Sequence, residues 1–447
     1  MNNTPTADHQ PQTADPTAFR ETEIGPIPAD WGIAALDQIV DFSRKPRSLD
    51  LSQFAEIPFI PMELISDSGD SYHGYALRKS EDLRSGSYCE KGDILLSKIT
   101  PSFENGKQAI VAGIPTDFAY ATTEIYAFKP KPGAANLKYL FHYFRLPNVR
   151  SEIAKKMEGT TGRQRVPKAV IENYPIPLPP LPEQRRIAAV LSAIQDAIAA
   201  QEDVIAAARA LKRSLMQRLF TYGPGREPAE TQETEIGEIP VGWEVVTVDD
   251  VFDVKLGKML SQQAKQGISS RLYMRNANVQ WGYIDLTDVA EMDFDSGERE
   301  RFRLRNGDIL VCEGGEVGRT AIWNNELEEC YYQKAIHRLR PKAGSDVLPY
   351  YFLHYMILLF LVRCVPVVEG ARSTIAHIPV AKLKAVPLVM PTISEQEQII
   401  DGIGAIDAKI AAEEDRKAAL EALFRSTLHQ LMTGQMRLLS DEGLPVG

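Results

Sequence analysis

Motifs that carry chemistry are scarce in this sequence of 447 residues. Its four cysteines are scattered without a CxxC pair, which predicts neither a zinc knuckle nor a disulfide framework. No HExxH helix occurs, and the nearest string to a Walker loop, GGEVGRT (Gly314 to Thr320), has arginine in place of lysine. The Asn/Asp-Pro-Pro-aromatic motif that holds an extruded base is absent too. We therefore expect no metal site and no catalytic residues.

A long apolar run is also lacking. The most apolar stretch, Tyr350 to Val362, has about 13 residues and includes His354, which predicts a buried helix because a membrane span needs roughly 20. The polar N-terminus has no signal segment and is expected to be a disordered tail, and the cysteine usage suits a reducing cytoplasm. A net charge of −10 does not favour nucleic acid as a partner, although a basic face can lie on an acidic protein.

What the sequence does contain is a long helical segment, present twice. The first follows the proline-rich run PIPLPPLPEQRRI, and its Glu183-Gln184 pair recurs 212 positions later as Glu395-Gln396. About forty residues at ~1.5 Å rise make a rod of roughly 60 Å. Apolar residues in both copies step by four and three, the seam of a coiled coil. The seam residues are Ile187, Leu191, Ile194 and Ile198 in the first copy and Ile399, Ile403, Ile406 and Ile410 in the second.

The whole chain is an internal duplication. Each helix follows a globular region whose short runs of alternating apolar and polar residues are typical of an α+β mixture. The two regions open with nearly the same sequence, ETEIGPIPADW and ETEIGEIPVGW. We read these openings as packed entry strands. The predicted divisions are a disordered tail (1–20), a first domain (21–178), a first helix (179–222), a linker (223–232), a second domain (233–389), a second helix (390–436) and a tail (437–447).

The two regions share a scaffold and differ in their loops. A glycine turn leads into an apolar strand in both KGDILLSKI and NGDILVCEGG, but the residues that follow diverge, as expected if each region reads something different. The loops MEGTTGRQRVP and VEGARSTIAHIP suit phosphate oxygens, or they cap their own helices, and composition leaves both readings open. His142 and His354 occupy matched apolar helices and are expected to be core residues.

Arginines and lysines are concentrated in two places. Six of them lie between Arg150 and Lys168 against two acidic residues. Arg299, Arg301, Arg303 and Arg305 alternate, which on a strand would put all four on one face.

Several of these runs together resemble the specificity subunit of type I restriction-modification systems. They are GTTGRQRVPKAVIENYPIPLPPLPEQRRIAAVL, KGDILLSKITPSFENGK and, in the second half, GEVGRTAIW. The resemblance extends from about Glu21 to Gly434. It departs from the family pattern where PLVMPTISEQEQI replaces the proline-rich helix entry.

The resemblance implies a sequence-specific DNA-binding subunit that is not itself an enzyme. Two tandem target-recognition domains would each read half of a bipartite site, and two conserved helices would pack as an antiparallel coiled coil with a pseudo-twofold relation. The implied partners are double-stranded DNA, two modification subunits that methylate adenine with S-adenosylmethionine, and restriction subunits that use ATP and Mg²⁺. The chain itself is expected to bind no cofactor and no membrane. The alternative is a coiled-coil scaffold that reads no DNA.

DNA contacts are expected from the divergent loops, because arginine is the preferred bidentate reader of guanine and lysine more often meets phosphate. The candidates are Thr161, Arg163, Arg165, Ser97, Lys98 and Lys107 in the first domain and Arg319, Arg372 and Ser373 in the second.

Overall fold

The computed structural model describes residues 18–67, 72, 74–83, 85–160, 162–225, 227–363 and 377–439. The chain forms two compact units, and the division passes through the middle of both long helices. Unit 1 takes the chain up to Asp203 and again from Asp415, whereas unit 2 takes Val204–Glu414. Each unit is therefore one globular region together with part of each long helix.

Unit 1 is built mainly from short strands. The strands are β1 (Phe19–Arg20), β2 (Ile27–Pro28), β3 (Gly32–Ala35), β4 (Val40–Phe42), β5 (Glu56–Ile60), β6 (Ala76–Lys79), β7 (Ser87–Glu90), β8 (Ile94–Ser97), β9 (Gln108–Ile110), β10 (Phe118–Ala121), β11 (Ile125–Pro130), β12 (Glu158–Thr160), β13 (Arg163–Arg165) and β14 (Pro175–Leu178). The helices are α1 (Leu36–Ile39), α2 (Leu137–Tyr143), α3 (Pro147–Ala154), α4 (Lys168–Glu172) and α5 (Leu181–Tyr222), which continues into unit 2.

The strands of unit 1 form two main sheets in the orders β6-β5-β10-β7 and β4-β11-β8-β9. Strand β8 is central and buried along its whole length, and it pairs antiparallel with β11 and β9. The turn before it uses Gly92 at φ +84°, a backbone angle that glycine adopts without strain. Strand β3, which directly follows the opening segment, pairs with β14, so the segment before α5 closes the domain as well.

Unit 2 repeats this plan. Its strands are β15 (Thr231–Thr234), β16 (Gly237–Pro240), β17 (Glu244–Thr247), β18 (Phe252–Leu256), β19 (Ser270–Met274), β20 (Ala290–Asp293), β21 (Asp308–Cys312), β22 (Thr320–Trp323), β23 (Tyr331–Tyr332), β24 (Ile336–Pro341) and β25 (Pro387–Met390). The helices are α6 (Val248–Val251), α7 (Ser296–Phe302), α8 (Pro349–Ile357), α9 (Val380–Lys384) and α10 (Ile393–Met432), which continues into unit 1. The order β18-β24-β21-β22 matches β4-β11-β8-β9. The α+β fold class and the duplication are confirmed.

A tryptophan near the start of each unit is hydrogen-bonded to a long helix of the same unit. The indole nitrogen of Trp31 donates to Glu183 at 3.3 Å, and that of Trp243 donates to Glu395 at 3.1 Å. The glutamine that follows each glutamate accepts a backbone hydrogen bond at 2.9 Å from the start of the preceding domain helix. The repeated Glu-Gln pair thus fixes the beginning of each long helix to its own domain.

The two long helices begin by different means. Helix α5 has Pro182 in its first turn, where the missing N–H is tolerated. Helix α10 lacks this proline and uses a capping box, in which the backbone N–H of Thr392 donates to Glu395 at 3.0 Å and that of Glu395 donates back to the threonine hydroxyl at 3.3 Å. The departure from the proline-rich entry therefore leaves the helix start intact.

Within each unit the segments of α5 and α10 run antiparallel, since residue numbers rise along one as they fall along the other. In unit 1, Glu202 pairs with Lys417, and Glu183 pairs with Arg437, which follows the end of α10. In unit 2, Arg209 pairs with Glu414 and Lys212 with Asp407. The expected seam residues face inward. Ile187, Leu191, Ile399, Ile403 and Ile410 are buried, and Ile194, Ile198 and Ile406 are partly buried.

The apolar stretch from Tyr350 forms α8 and a π-helical turn, Leu358–Val362, in the core of unit 2. None of the helices in the described part of the chain is long and apolar enough to cross a membrane. His142 and His354 lie in the two cores as expected, and burial lowers the pKa of the first to about 3 and of the second to about 4.

Three expectations need correction. The alternating arginines do not share a strand, because Asp295 caps a helix (α7) that continues to Phe302. Residues from 437 onward were assigned to a tail, but Arg437 bonds to Glu183 and Asp30, each at 2.7 Å. At the other end, β1 pairs with β2, so ordered structure begins before residue 21.

Candidate nucleic-acid interface

Three segments of unit 1 meet at the end of β8. The backbone N–H of Lys98 donates to the backbone carbonyl of Glu124 at 3.0 Å, and the N–H of Val166 donates to the backbone carbonyl of Lys98 at 2.8 Å. The loop after β8, the start of β11 and the hairpin formed by β12 and β13 are thereby joined. We call Lys98, Glu124 and Arg165 the first corner. Two of the candidate residues, Lys98 and Arg165, are brought together here.

The side chains of the first corner form a mixed-charge group. The guanidinium of Arg165 donates to both carboxylate oxygens of Glu124, at 2.8 and 2.5 Å, and this bidentate pair lowers the pKa of Glu124. The ammonium of Lys98 lies 4.9 Å from the centre of the Tyr126 ring. Burial lowers the pKa of Lys98. With two cations and one carboxylate, the corner has a net positive charge.

Arg163 lies on the adjacent hairpin, exposed to solvent. Its guanidinium has no ion pair with any residue in the ranges that the structure describes. The hairpin requires glycine at position 159, where φ is +132° and a Cβ atom would lie 2.7 Å from the carbonyl oxygen of Arg163. Arg163 is therefore the cation of this hairpin that can reach a phosphate without losing a protein partner. Thr161 lies outside the described residues.

The other two candidates of the first domain do not face solvent freely. Ser97 is the last residue of β8 and is buried, so we withdraw it from the interface. The ammonium of Lys107 donates to the carbonyl of Met62 at 3.0 Å, which ties it to the domain surface. Sequence spacing alone does not separate these residues from Lys98, because only strand pairing decides which end of β8 faces inward.

Unit 2 contains a corner with the same backbone connections. The N–H of Glu313 donates to the backbone carbonyl of Ala335 at 2.9 Å, and the N–H of Ile378 donates to the backbone carbonyl of Glu313 at 2.8 Å. His377 forms an antiparallel β-bridge with Gly314. Glu313, Ala335 and His377, which we call the second corner, thus take the places of Lys98, Glu124 and Arg165. The candidates Arg372 and Ser373 lie outside the described residues.

Arg319, the remaining candidate of the second domain, is held within the protein. Its guanidinium donates to Gln280 at 3.0 Å and to the carbonyl of Asn276 at 2.9 Å. The side chain is only 13% exposed. Arg319 therefore shapes its loop, and contact with DNA would require it to leave these partners.

The chemistry available at the corners is hydrogen bonding and charge. Over the residues that can be described, no three His, Cys, Asp or Glu side chains are grouped so as to hold a metal ion. Burial raises the pKa of the thiols of Cys89, Cys312 and Cys330, which makes them poor nucleophiles. Sequence reasoning missed Glu124 and Glu313, because neither stands out until pairing places it beside the candidate residues.

The chain is matched twice by a family model described as the type I restriction modification DNA specificity domain, over residues 28–208 and 240–422. The specificity subunit of the type I restriction enzyme EcoAI from Escherichia coli is 25% identical over 86% of this chain and 79% of that protein. The putative type I restriction enzyme MjaX specificity subunit from Methanocaldococcus jannaschii is 26% identical over 94% of this chain and 97% of that protein.

Two solved structures have a similar fold. One is a chain from a structure that describes complex assembly and conformational transition of the type I R-M system. Its TM-score is 0.61 at 18% identity, and the match covers 92% of this chain and 99% of that chain. The other is the type I restriction-modification system S subunit from M. genitalium, with a TM-score of 0.50, 14% identity and coverage of 90% and 96%. At these identities the likeness concerns the fold alone.

Proposed function

The chain belongs to the type I restriction-modification DNA specificity family, and from this membership we propose that it reads a bipartite site in double-stranded DNA, one half-site with each unit. The target-recognition domains are the globular parts of units 1 and 2. Each presents its corner and the neighbouring loops to the DNA. The relatives named above carry the corresponding description in their names.

One observation carries this proposal: the same backbone corner occurs in both units with different side chains. Two readers that shared one ancestor and one target would be expected to keep the same charges. Lys98 and Arg165 in unit 1 against Glu313 and His377 in unit 2 instead suit two different base sequences, since cationic groups favour guanine edges and phosphates while a carboxylate accepts from the cytosine amino group.

We infer that the chemistry of the complex belongs to partner subunits. We propose that this chain recruits two modification subunits, which bind S-adenosylmethionine and methylate adenine, and restriction subunits that use ATP and Mg²⁺. The chain then acts in the cytoplasm, with the chromosome, as a DNA-reading adaptor that catalyses no step. A coiled-coil scaffold without DNA recognition is the other candidate, but it gives no reason for two homologous domains with divergent corners.

The proposal is tested by co-expressing the chain with a candidate modification subunit and mapping adenine methylation across the host genome. We expect one bipartite motif with a fixed gap. Replacing residues 21–178 with the corresponding domain of another specificity subunit should change one half of that motif and leave the other half unchanged. The matched control replaces residues 233–389 and should change the opposite half.

A stable complex that methylates no defined motif would contradict DNA reading and favour the scaffold. The salt dependence of duplex binding gives a second test, because a protein that neutralises phosphates loses affinity steeply as salt rises. Binding that does not change between 50 and 200 mM salt, the range over which roughly 10³-fold or more is lost when six to ten phosphates are contacted, would also contradict the proposal.

A further inference from the structure

We propose that Arg150 is a positioning residue for recognition of the first half-site, because it holds the loop after β8 in the shape that presents Asn105 to DNA. The loop in question is Lys98 to Lys107, which we call the first loop. This inference rests on the proposed function, since it names which internal group sets the reading surface of unit 1.

Arg150 lies on α3 beneath the first loop and is 7% exposed. One terminal nitrogen of its guanidinium donates to the carbonyl of Phe103 at 2.5 Å. The other donates to the carbonyl of Gly106 at 3.2 Å and to the side chain of Gln108 at 2.6 Å. All three acceptors belong to the first loop or to the strand that directly follows it. The rigid planar guanidinium therefore holds both ends of the turn that is closed by the hydrogen bond from the Gly106 N–H to the Phe103 carbonyl.

The charge of Arg150 is buried, and its hydrogen-bond acceptors are uncharged. No carboxylate in the described part of the chain forms an ion pair with it, and burial, with a smaller contribution from Arg145, lowers the pKa of its guanidinium. Burying a cation is costly unless its donors are hydrogen-bonded, and here the three acceptors supply those bonds. An arginine at this position is therefore explained by the three acceptors in and after the first loop, to which its guanidinium donates.

Unit 2 shapes its corresponding loop by other means. The residue 212 positions after Arg150 is Val362, and the second loop, from Glu313 to Arg319, is three residues shorter. That loop packs on the ring of Phe360, so closely that a Cβ atom on Gly318 would lie 2.5 Å from it. The buried arginine thus accompanies the longer loop of unit 1 and is not part of the shared scaffold.

The held loop has a group suited to reading a base. Glu104 and Asn105 are exposed at its tip and border a cavity of about 490 Å³ above Arg150. Glu104 accepts a hydrogen bond from the Thr100 hydroxyl at 2.8 Å, which commits it to the loop. The Asn105 side chain can bond an adenine edge in the major groove through its amide. From its exposure and its amide we take Asn105 as the base-reading group, and Arg150 as the residue that positions the loop carrying it.

The experiment uses the full chain co-expressed with its modification subunit and maps methylation for the variants R150M, R150K and N105A. We expect wild-type methylation at one bipartite motif. In R150M and R150K, discrimination at one base pair of the first half-site should fall at least tenfold, and the second half-site should be unchanged. N105A should relax the same base pair. The control is V149A, a buried neighbour on α3 that faces the core and should lower the melting temperature without changing the motif.

Several outcomes would overturn the inference. One is that R150K and R150M lower the melting temperature like V149A and keep the motif. Another is that both half-sites relax together. N105A does not disturb the core, so an unchanged motif in that variant refutes the proposal even where the Arg150 variants fail to accumulate. If wild type itself gives no bipartite motif, the proposed function fails; a wild-type motif with unchanged variants refutes only this inference.

Discussion

At the end of β8 the chain places Lys98 between Glu124 and Val166, and at the end of β21 it places Glu313 between Ala335 and Ile378 through the same two backbone hydrogen bonds. The peptide groups are equivalent, yet a basic residue in one unit is an acidic residue in the other. These backbone bonds form with a basic side chain in one unit and with an acidic side chain in the other. A duplicated domain can therefore change what it reads without changing how it folds.

The same contrast appears where the long helices begin. Glu183 is almost fully buried and is paired with Arg437, whereas Glu395 is more exposed and is satisfied by Trp243 and Thr392. One helix start relies on an ion pair between distant parts of the chain, and the other on a local cap. The two starts should therefore respond differently to loss of a partner.

The largest effect is expected for R437M. This substitution leaves the Glu183 carboxylate buried without its cation, which costs on the order of 3–5 kcal/mol. The matched change in unit 2, T392V, removes only a cap and should cost about 1 kcal/mol. Urea denaturation, with hydrogen exchange at the starts of α5 and α10, measures both. Equal destabilisation by the two variants would mean that the helix starts are not held differently.

Acid should destabilise both units through their buried histidines. The folded-state pKa of each histidine lies below the unfolded value near 6.5, so the unfolded chain takes up the proton first. The free energy of unfolding should therefore fall below pH 6.5 by about 1.4 kcal/mol for each histidine and each pH unit. For His142 this loss should continue to about pH 3, where Arg145 and Lys138 reinforce burial. For His354 it should stop near pH 4, where Asp407 opposes Lys212.

NMR titration of the two imidazoles measures this difference, with H142Q and H354Q as controls that remove one titration each. H142Q should flatten the acid limb of the stability curve of unit 1. An imidazole of His142 that titrates near pH 6.5 in the folded protein would show that it is not sealed from water.

Charge reversal at the corners should shift DNA affinity in opposite directions. K98E should weaken duplex binding by about tenfold, which is 1.4 kcal/mol, and E313K should strengthen it severalfold, because each changes the potential facing the phosphates by two charges. Fluorescence anisotropy of the assembled complex at several salt concentrations measures both. If both variants weakened binding equally, the corners would matter for folding and not for charge.

The smallest effect separates the two arginines of the β12–β13 hairpin. R163A should lower the slope of log affinity against log salt by about 1, since this arginine is free to meet one phosphate. R165A should change it less, because Arg165 is already bonded to Glu124. A larger loss for R165A would mean that this pair opens when DNA binds. The same salt series provides the readout, and R209A is the control, because Arg209 is paired with Glu414 on the long helices and belongs to neither corner.

The parts of this fold that depend on local order are the ones that the sequence predicts well. Helices α5 and α10 follow from apolar spacing and helix-entry residues, and the turn before β8 follows from Lys-Gly-Asp. The alternation from Arg299 was misread because a capping box, formed by Asp295 and Glu298, starts a helix there. The alternating arginines favoured a strand and the capping box favoured a helix, and the segment from Ser296 to Phe302 is helical.

The candidate site was only partly predictable, since its members meet through long-range pairing. Arg165 is 41 residues from Glu124, and only the join between the hairpin and β8 brings them together. Burial of Ser97 and the bonds of Arg319 depend likewise on which strand covers which face. Arg150 looked like part of a basic surface because sequence shows charge but not depth.

The ion pair between Glu183 and Arg437 also has a consequence for the order of events at the ribosome. The two residues are 254 positions apart, so at ~5–20 residues per second the arginine is made roughly 13–50 s after the glutamate. Until then the nascent first unit lacks its segment from Asp415, which contributes Phe424, Leu428 and Leu431 to the same apolar core as Ile187 and Leu191. A transcript cut short before codon 415 would yield a chain whose first unit lacks every residue that it takes from the second long helix.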